Sequence, residues 1–281
     1  MKQLMEYHII SGRVIETRRV YMACRDGKKK TRGTRIAGNT SAKKIALNER
    51  DAVKRFARTL NANFGMTGFL WVTLKYSDKR LPASYLSAQD LASAFLNKAR
   101  KAYKREMGKS LRYALVTANW NQQDKREARL HHHLVVDPDM SLDLLSKLWP
   151  EGEFYVRRVS NPGDLTGLAA YMIENVRVLD NERGIQPGKK KYTVSKGMAE
   201  PIRTDPQPVK DIEGLQPLLN CAVLGAEPTY DEDGRLIGSY LRTLAPEQPK
   251  VRGSMVILPK RRTRRVTWDE GYLAEIRRQD K

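Results

Sequence analysis

Three of the four histidines in the chain stand side by side as His131, His132 and His133. On an extended segment side chains alternate between faces, so His131 and His133 point one way and His132 the other. Two imidazoles two residues apart on one strand can hold one divalent metal from the same side. The Leu134-Val135-Val136 run that follows anchors such a strand in a core and would keep the pair rigid. A surface histidine cluster is the other reading; a tag is not, because the cluster is internal and flanked by strand residues. Tyr171 is the second chemical candidate. A tyrosine can attack phosphorus and leave a covalent phosphotyrosine. With a free pKa of about 10 it needs a metal to polarise the phosphate and to help its hydroxyl deprotonate. A lone tyrosine on a helix is more often a half-buried packing residue.

The elements that must position these residues follow from periodicity. Apolar residues at helical spacing predict a helix over 42–63, and the aromatic and β-branched run GFLWVTLKY predicts a buried strand over 68–76. A helix over 88–107, a strand over 111–117 and a polar hairpin connection over 119–129 come next. The histidine strand then runs from Arg129 to Asp137. A short helix over 141–148 has Ser141 at its N-cap position. A strand over 153–159 precedes the tyrosine helix over 164–176, with Asp164 as its cap. A basic loop over 184–191, a short strand over 192–195, a proline-punctuated linker over 201–217 and a helix over 215–224 complete the reading. Interleaved strands and helices with tight connections suit an α+β fold, a central antiparallel sheet of about five strands with flanking helices. The expected domains are a basic N-terminal arm or short strands over 1–43, a catalytic domain over 44–201, and a linker with a basic C-terminal extension over 202–281.

The bulk composition points to the partner. Of 281 residues, 52 are Lys or Arg against 32 Asp or Glu, a formal net charge of +20. Charge of that size matches a polyanion, because Lys and Arg that neutralise phosphates release condensed counterions. Cys24 and Cys221 are the only cysteines, which excludes a cysteine zinc cluster and a disulfide framework and suits a reducing cytoplasm. The first sixteen residues show no apolar signal-peptide core, and no apolar run reaches the roughly 18 residues of a membrane span. The expected location is therefore the cytoplasm, with no membrane partner.

Together, the ordered motifs resemble a family. The strand FLWVTLKY, the histidine strand Arg129-Leu130-His131-His132-His133-Leu134-Val135, and Leu168-Ala169-Ala170-Tyr171-Met172 occur in the order found in the HUH endonucleases. The segment 46–64, Leu148-Trp149-Pro150-Glu151-Gly152 and the stretch YTVSKGMAEP over 192–201 are similar to motifs of phage and mobile-element rolling-circle replication initiators. The resemblance covers roughly residues 44–201. It implies an HUH/RRM-like sheet whose middle strands carry a Mg²⁺ or Mn²⁺ ion on His131 and His133. It also implies a helix presenting Tyr171, which cuts single-stranded DNA to leave a 5′-phosphotyrosine and a free 3′-OH. The partners it implies are single-stranded DNA, an origin duplex and a host helicase or polymerase, in a bacterial cytoplasm.

Two positions depart from that pattern. The group often has a Glu after a Val-Thr pair on the strand before the histidines; here Val116-Thr117 is followed by Ala118 and Asn119. It often has a Lys three residues after the tyrosine; here that residue is Glu174. Glu174, one turn from Tyr171, or the neutral oxygen of Asn119 are the candidates for the missing ligand. Arg157, Arg158, Lys189, Lys190, Lys191 and Lys196 are candidates to track a DNA strand, with Tyr155, Tyr192 or Trp120 as stacking platforms. The alternatives are a catalytically decayed DNA-binding protein or repressor on the same scaffold, and a transposase or relaxase with the same chemistry.

Overall fold

The computed structural model describes residues 2–23, 42–176, 191–218, 220–231 and 233–258, with side chains of the first helix from Leu47 onward. Cys24, Lys189, Lys190 and the basic run over 260–265 lie outside the described residues. In chain order the elements are β1 (Lys2–Ser11), β2 (Val14–Ala23), α1 (Ala42–Phe64), β3 (Phe69–Lys75), α2 (Tyr85–Met107), β4 (Tyr113–Asn121), β5 (Arg126–Val136) and α3 (Leu142–Leu148). There follow β6 (Phe154–Val159), α4 (Thr166–Glu174), β7 (Thr193–Val194), β8 (Ile202–Arg203), β9 (Gln207–Pro208), β10 (Ala222–Tyr230), β11 (Leu236–Leu244), β12 (Lys250–Arg252) and β13 (Met255–Ile257). The fold is mixed α+β with antiparallel sheets, as the sequence predicts. No helix among the described residues is long and apolar enough to cross a membrane.

The described residues divide into two compact units. One holds those up to Ala62 and those from Glu200 on; the other is Asn63–Ala199. In the first unit the sheet order is β10-β11-β2-β1-β8, with β9 also on β1. The expected arm and extension are therefore not separate appendages, because β2 of the one pairs with β11 of the other over Val14–Val20. Glu16, Arg18 and Arg19 interrupt the apolar residues of β2, so charge and periodicity do not mark it as a long strand. The segment expected to be a helix over 215–224 instead leads into β10. That strand takes a nine-residue partner in β11, and a short apolar run does not by itself tell helix from strand. The expected linker contributes the short strands β8 and β9.

In the second unit the sheet order is β6-β3-β5-β4-β7, with every neighbour antiparallel. One face is the core. Leu70, Val72 and Leu74 of β3, Leu115 of β4, and Leu134 and Val136 of β5 pack on Ala88, Phe95, Leu96, Ala99 and Tyr103 of α2 and on Leu145 and Trp149. The α2 stripe recurs every three or four residues, and its alanines let the helix lie close to the sheet. Ser84 starts α2 with a capping box to Ser87, and Gly108 ends it in the left-handed region. The opposite face carries α4, whose Tyr171 ring meets Trp71 and His133. The helix is shorter than expected. Asp164 accepts from Thr166 N and Oγ1 at 2.9 and 2.6 Å, so it holds the turn just before the first helical residue.

Candidate active site

The register of β5 fixes the three histidines. His131, His132 and His133 stand opposite Lys75, Leu74 and Thr73 of β3, and opposite Ala118, Thr117 and Val116 of β4. Both neighbours thus place His132 on the core face and the other two on the α4 face, where Thr73, Lys75, Val116 and Ala118 accompany them.

On that face the two rings converge. His131 Nε2 and His133 Nε2 are 3.2 Å apart, with the rings nearly perpendicular. His131 Nδ1 lies 2.8 Å from the Arg129 carbonyl oxygen and donates to it, which presents Nε2 as a lone pair toward His133. His133 Nδ1 is 3.4 Å from Thr73 Oγ1, and its ring stacks on Trp71 at 4.9 Å. Two metal–nitrogen bonds of about 2.1 Å meeting at an angle of about 100° span about 3.2 Å, so the pair fits two positions of one divalent ion. Burial holds both imidazoles below their ordinary pKa. In His133 the neighbouring His131 adds to it, and the Lys75 charge opposes protonation of both rings. Neutral imidazole is the ligating form. Among the described residues no group of three His, Cys, Asp or Glu side chains is gathered here.

Tyr171 is buried, with its hydroxyl shielded and without a hydrogen-bond partner. Its ring centroid is 5.4 Å from that of His133. A cleft of about 140 Å³ is lined by His131, Tyr171, Glu174 and Asn175, together with Asn121 and Gln123 from the β4–β5 turn. Tyr171, His131 and Glu174 therefore line one cleft. Asn119 is not among its lining residues. It sits at an irregularity in β4 between Ala118 and Trp120, and its N–H and that of Trp120 both donate to Asn175 O at 3.1 Å. That bulge ties the end of α4 to the sheet, a positioning role the sequence did not signal.

The chain matches no family model, no curated protein and no solved structure.

The expected DNA-binding residues disperse. Arg157 is opposite Trp71 and shares the histidine face, whereas Arg158 is opposite Leu70 and belongs to the other. Adjacent residues on a strand cannot face one groove. Lys191 lines a different cleft, of about 200 Å³, with Asp90 of α2 and Thr117, on the His132 side of the sheet. Lys196 is exposed beyond β7. Trp120 is buried and its indole donates to Gln122, which withdraws it as a platform, while Tyr155 keeps 42% of its surface exposed. The residue the sequence reading missed is Lys75. Its Nζ lies over the Tyr155 ring at 4.8 Å, and it stands beside His131 in the register. A lysine at the end of a strand gives no signal until its neighbours are known.

Proposed function

We propose that this protein is a metal-dependent enzyme that nicks and rejoins single-stranded DNA through Tyr171, a rolling-circle replication initiator of the HUH type. The observation that carries the reading is the convergence of two neutral imidazole nitrogens, 3.2 Å apart, beside a buried tyrosine whose hydroxyl has no partner. Buried polar groups are normally satisfied, and an orphan hydroxyl next to a ligand pair is a group built for something not supplied by the chain. A divalent ion on His131 and His133 would polarise a phosphate oxygen and favour the phenolate. The protein itself orients the nucleophile: the Asn175 carbonyl fixes α4 on the β4 bulge, and Trp71 and His133 fix the ring. The Tyr171 oxygen bonds to phosphorus as its proton passes to water. The P–O3′ bond breaks, and O3′ keeps the electron pair and takes a proton from water. Phosphoryl transfer asks little more than such positioning and charge stabilisation.

The test is a covalent adduct. Protein, Mn²⁺ and a labelled pool of single-stranded oligonucleotides are incubated and run on a denaturing gel, with Tyr171→Phe alongside. The expected result is a labelled protein band lost in Tyr171→Phe. Salt-sensitive DNA binding without any adduct would instead support the decayed, DNA-binding reading. The shielding of the Tyr171 hydroxyl and the alanine at position 118 are the observations that favour that second reading.

A further inference from the structure

His131 lines a second cleft. This one measures about 520 Å³ and is bounded by Lys75, Ser77, Asp78, Arg129, Glu153 and Tyr155. It is built rather than incidental. Gly152 lies so close to the Lys75–Ser77 backbone that a Cβ there would collide with the Lys75 carbonyl oxygen. Lys75 N donates to Glu153 O at 2.8 Å, Ser77 N to Glu151 O at 3.0 Å, and the Trp149 indole to Lys75 O at 3.0 Å. The Trp149-to-Gly152 motif thus clamps the end of β3 onto the start of β6 and shapes the floor of this cleft. Its charges cancel. Arg129 pairs with Asp78 at 2.6 Å, and Glu153 accepts from the Tyr155 hydroxyl at 2.9 Å while Lys75 lies over the same ring. A phosphate placed here would meet two carboxylates, whereas a neutral, flat base would meet a partly exposed aromatic ring, the kind of surface single-strand binders use for stacking.

We infer that the Lys75–Arg129–Tyr155 cleft seats the base of the nucleotide immediately 5′ of the cut, the one that departs with the free 3′-OH. This rests on the nickase reading above. In the sheet β4 and β3 flank β5 on opposite sides, so the Tyr171 cleft and the Tyr155 cleft lie on opposite sides of the histidine strand and meet at His131. Displacement at phosphorus runs in line, with the entering and leaving oxygens roughly opposite. With DNA reaching the phenol through the Tyr171 cleft, O3′ leaves toward the Tyr155 cleft, and the Tyr155 ring is the stacking surface there.

The experiment takes an oligonucleotide recovered from the adduct pool and replaces the nucleotide 5′ of the cut by an abasic site. Adduct yield at sub-saturating DNA is then measured for the parent protein, Tyr155→Ala and Tyr155→Phe. Base–aromatic stacking removed by alanine corresponds to about tenfold in affinity or more. The expected pattern is a loss of about tenfold from the abasic site in the parent and in Tyr155→Phe, and little further loss in Tyr155→Ala, which already lacks the ring. An abasic penalty of the same size in all three proteins, with adducts still formed, overturns the subsite and leaves the nickase reading standing. Absence of any adduct from the parent protein overturns both.

Discussion

On the core face of β5, His132 uses both ring nitrogens. Its Nε2 lies 2.6 Å from the Tyr76 hydroxyl and its Nδ1 3.1 Å from Thr117 Oγ1, with the ring set against those of Tyr76 and Trp149. On the other face, Nδ1 of His131 lies against the Arg129 carbonyl and Nδ1 of His133 near Thr73 Oγ1, and the two Nε2 atoms turn toward each other. Three adjacent residues of one type thus divide into one ring bonded within the core and two whose Nε2 atoms face each other, a division set by the alternation of the strand. A histidine whose two nitrogens both bond to the chain is part of the core. A histidine anchored through Nδ1, with Nε2 aimed at a second imidazole, is prepared for something that bridges them.

The most direct way to break this comparison is to remove one member of each set. His131→Ala should abolish adduct formation by about a hundredfold or more, since metal charge stabilisation amounts to several kcal/mol, while urea unfolding shifts by no more than about 1 kcal/mol. His131 is half-buried, so its loss leaves only a small cavity. His132→Ala should do the reverse. It leaves the Tyr76 and Thr117 hydroxyls without their partner in a closed core and should cost about 3 kcal/mol of stability, with adduct formation per folded molecule largely kept. Equal losses of activity at equal stability in the two variants would erase the distinction.

Acid should separate the structural histidine by its proton. Burial pushes the His132 pKa down to about 3, with the charge of His131 adding to it, against 6.5 in the unfolded chain. Between those values the unfolded state binds the extra proton and the native state does not. Stability from this residue is therefore whole above about pH 6.5 and is lost on acidification toward pH 3, with a slope of up to about 1.4 kcal/mol per pH unit. His132→Gln, which keeps polar atoms but does not titrate, should have a shallower stability–pH profile in urea melts between pH 6.5 and 4. An unchanged slope would mean that His132 takes up a proton in the folded protein.

How much of this the sequence carried depends on the range of the signal. The alternation that splits the histidines is local, and it held. The same rule applied to Arg157 and Arg158 separates them, yet nearness in sequence had grouped them. The pairing of β2 with β11 joins residues more than two hundred apart, and nothing in a charged strand announces its distant partner. Cross-strand register was equally out of reach. That Ala118 sits opposite His131, and Lys75 on its other side, depends on the turn after Asn121 and the irregularity at Asn119, which shift the pairing in ways periodicity does not encode.

That register makes the missing carboxylate testable. Ala118 is fully buried and directly opposite His131 on the face that carries His133, and directly opposed residues have Cβ atoms about 5 Å apart. A glutamate there would add a carboxylate beside the two imidazoles, so Ala118→Glu should tighten Mn²⁺ binding by about tenfold in calorimetric titration. Unbound, the buried carboxylate should destabilise the protein, and the ion should restore it. Glu174 is exposed at the mouth of the same cleft, and its removal distinguishes replacement from addition. If Glu174 stands in for the lost ligand, Glu174→Ala should weaken Mn²⁺ binding several-fold in the parent and much less in the Ala118→Glu background. If it does not, Glu174→Ala changes neither, and the pair of imidazoles completes its coordination with water or substrate alone.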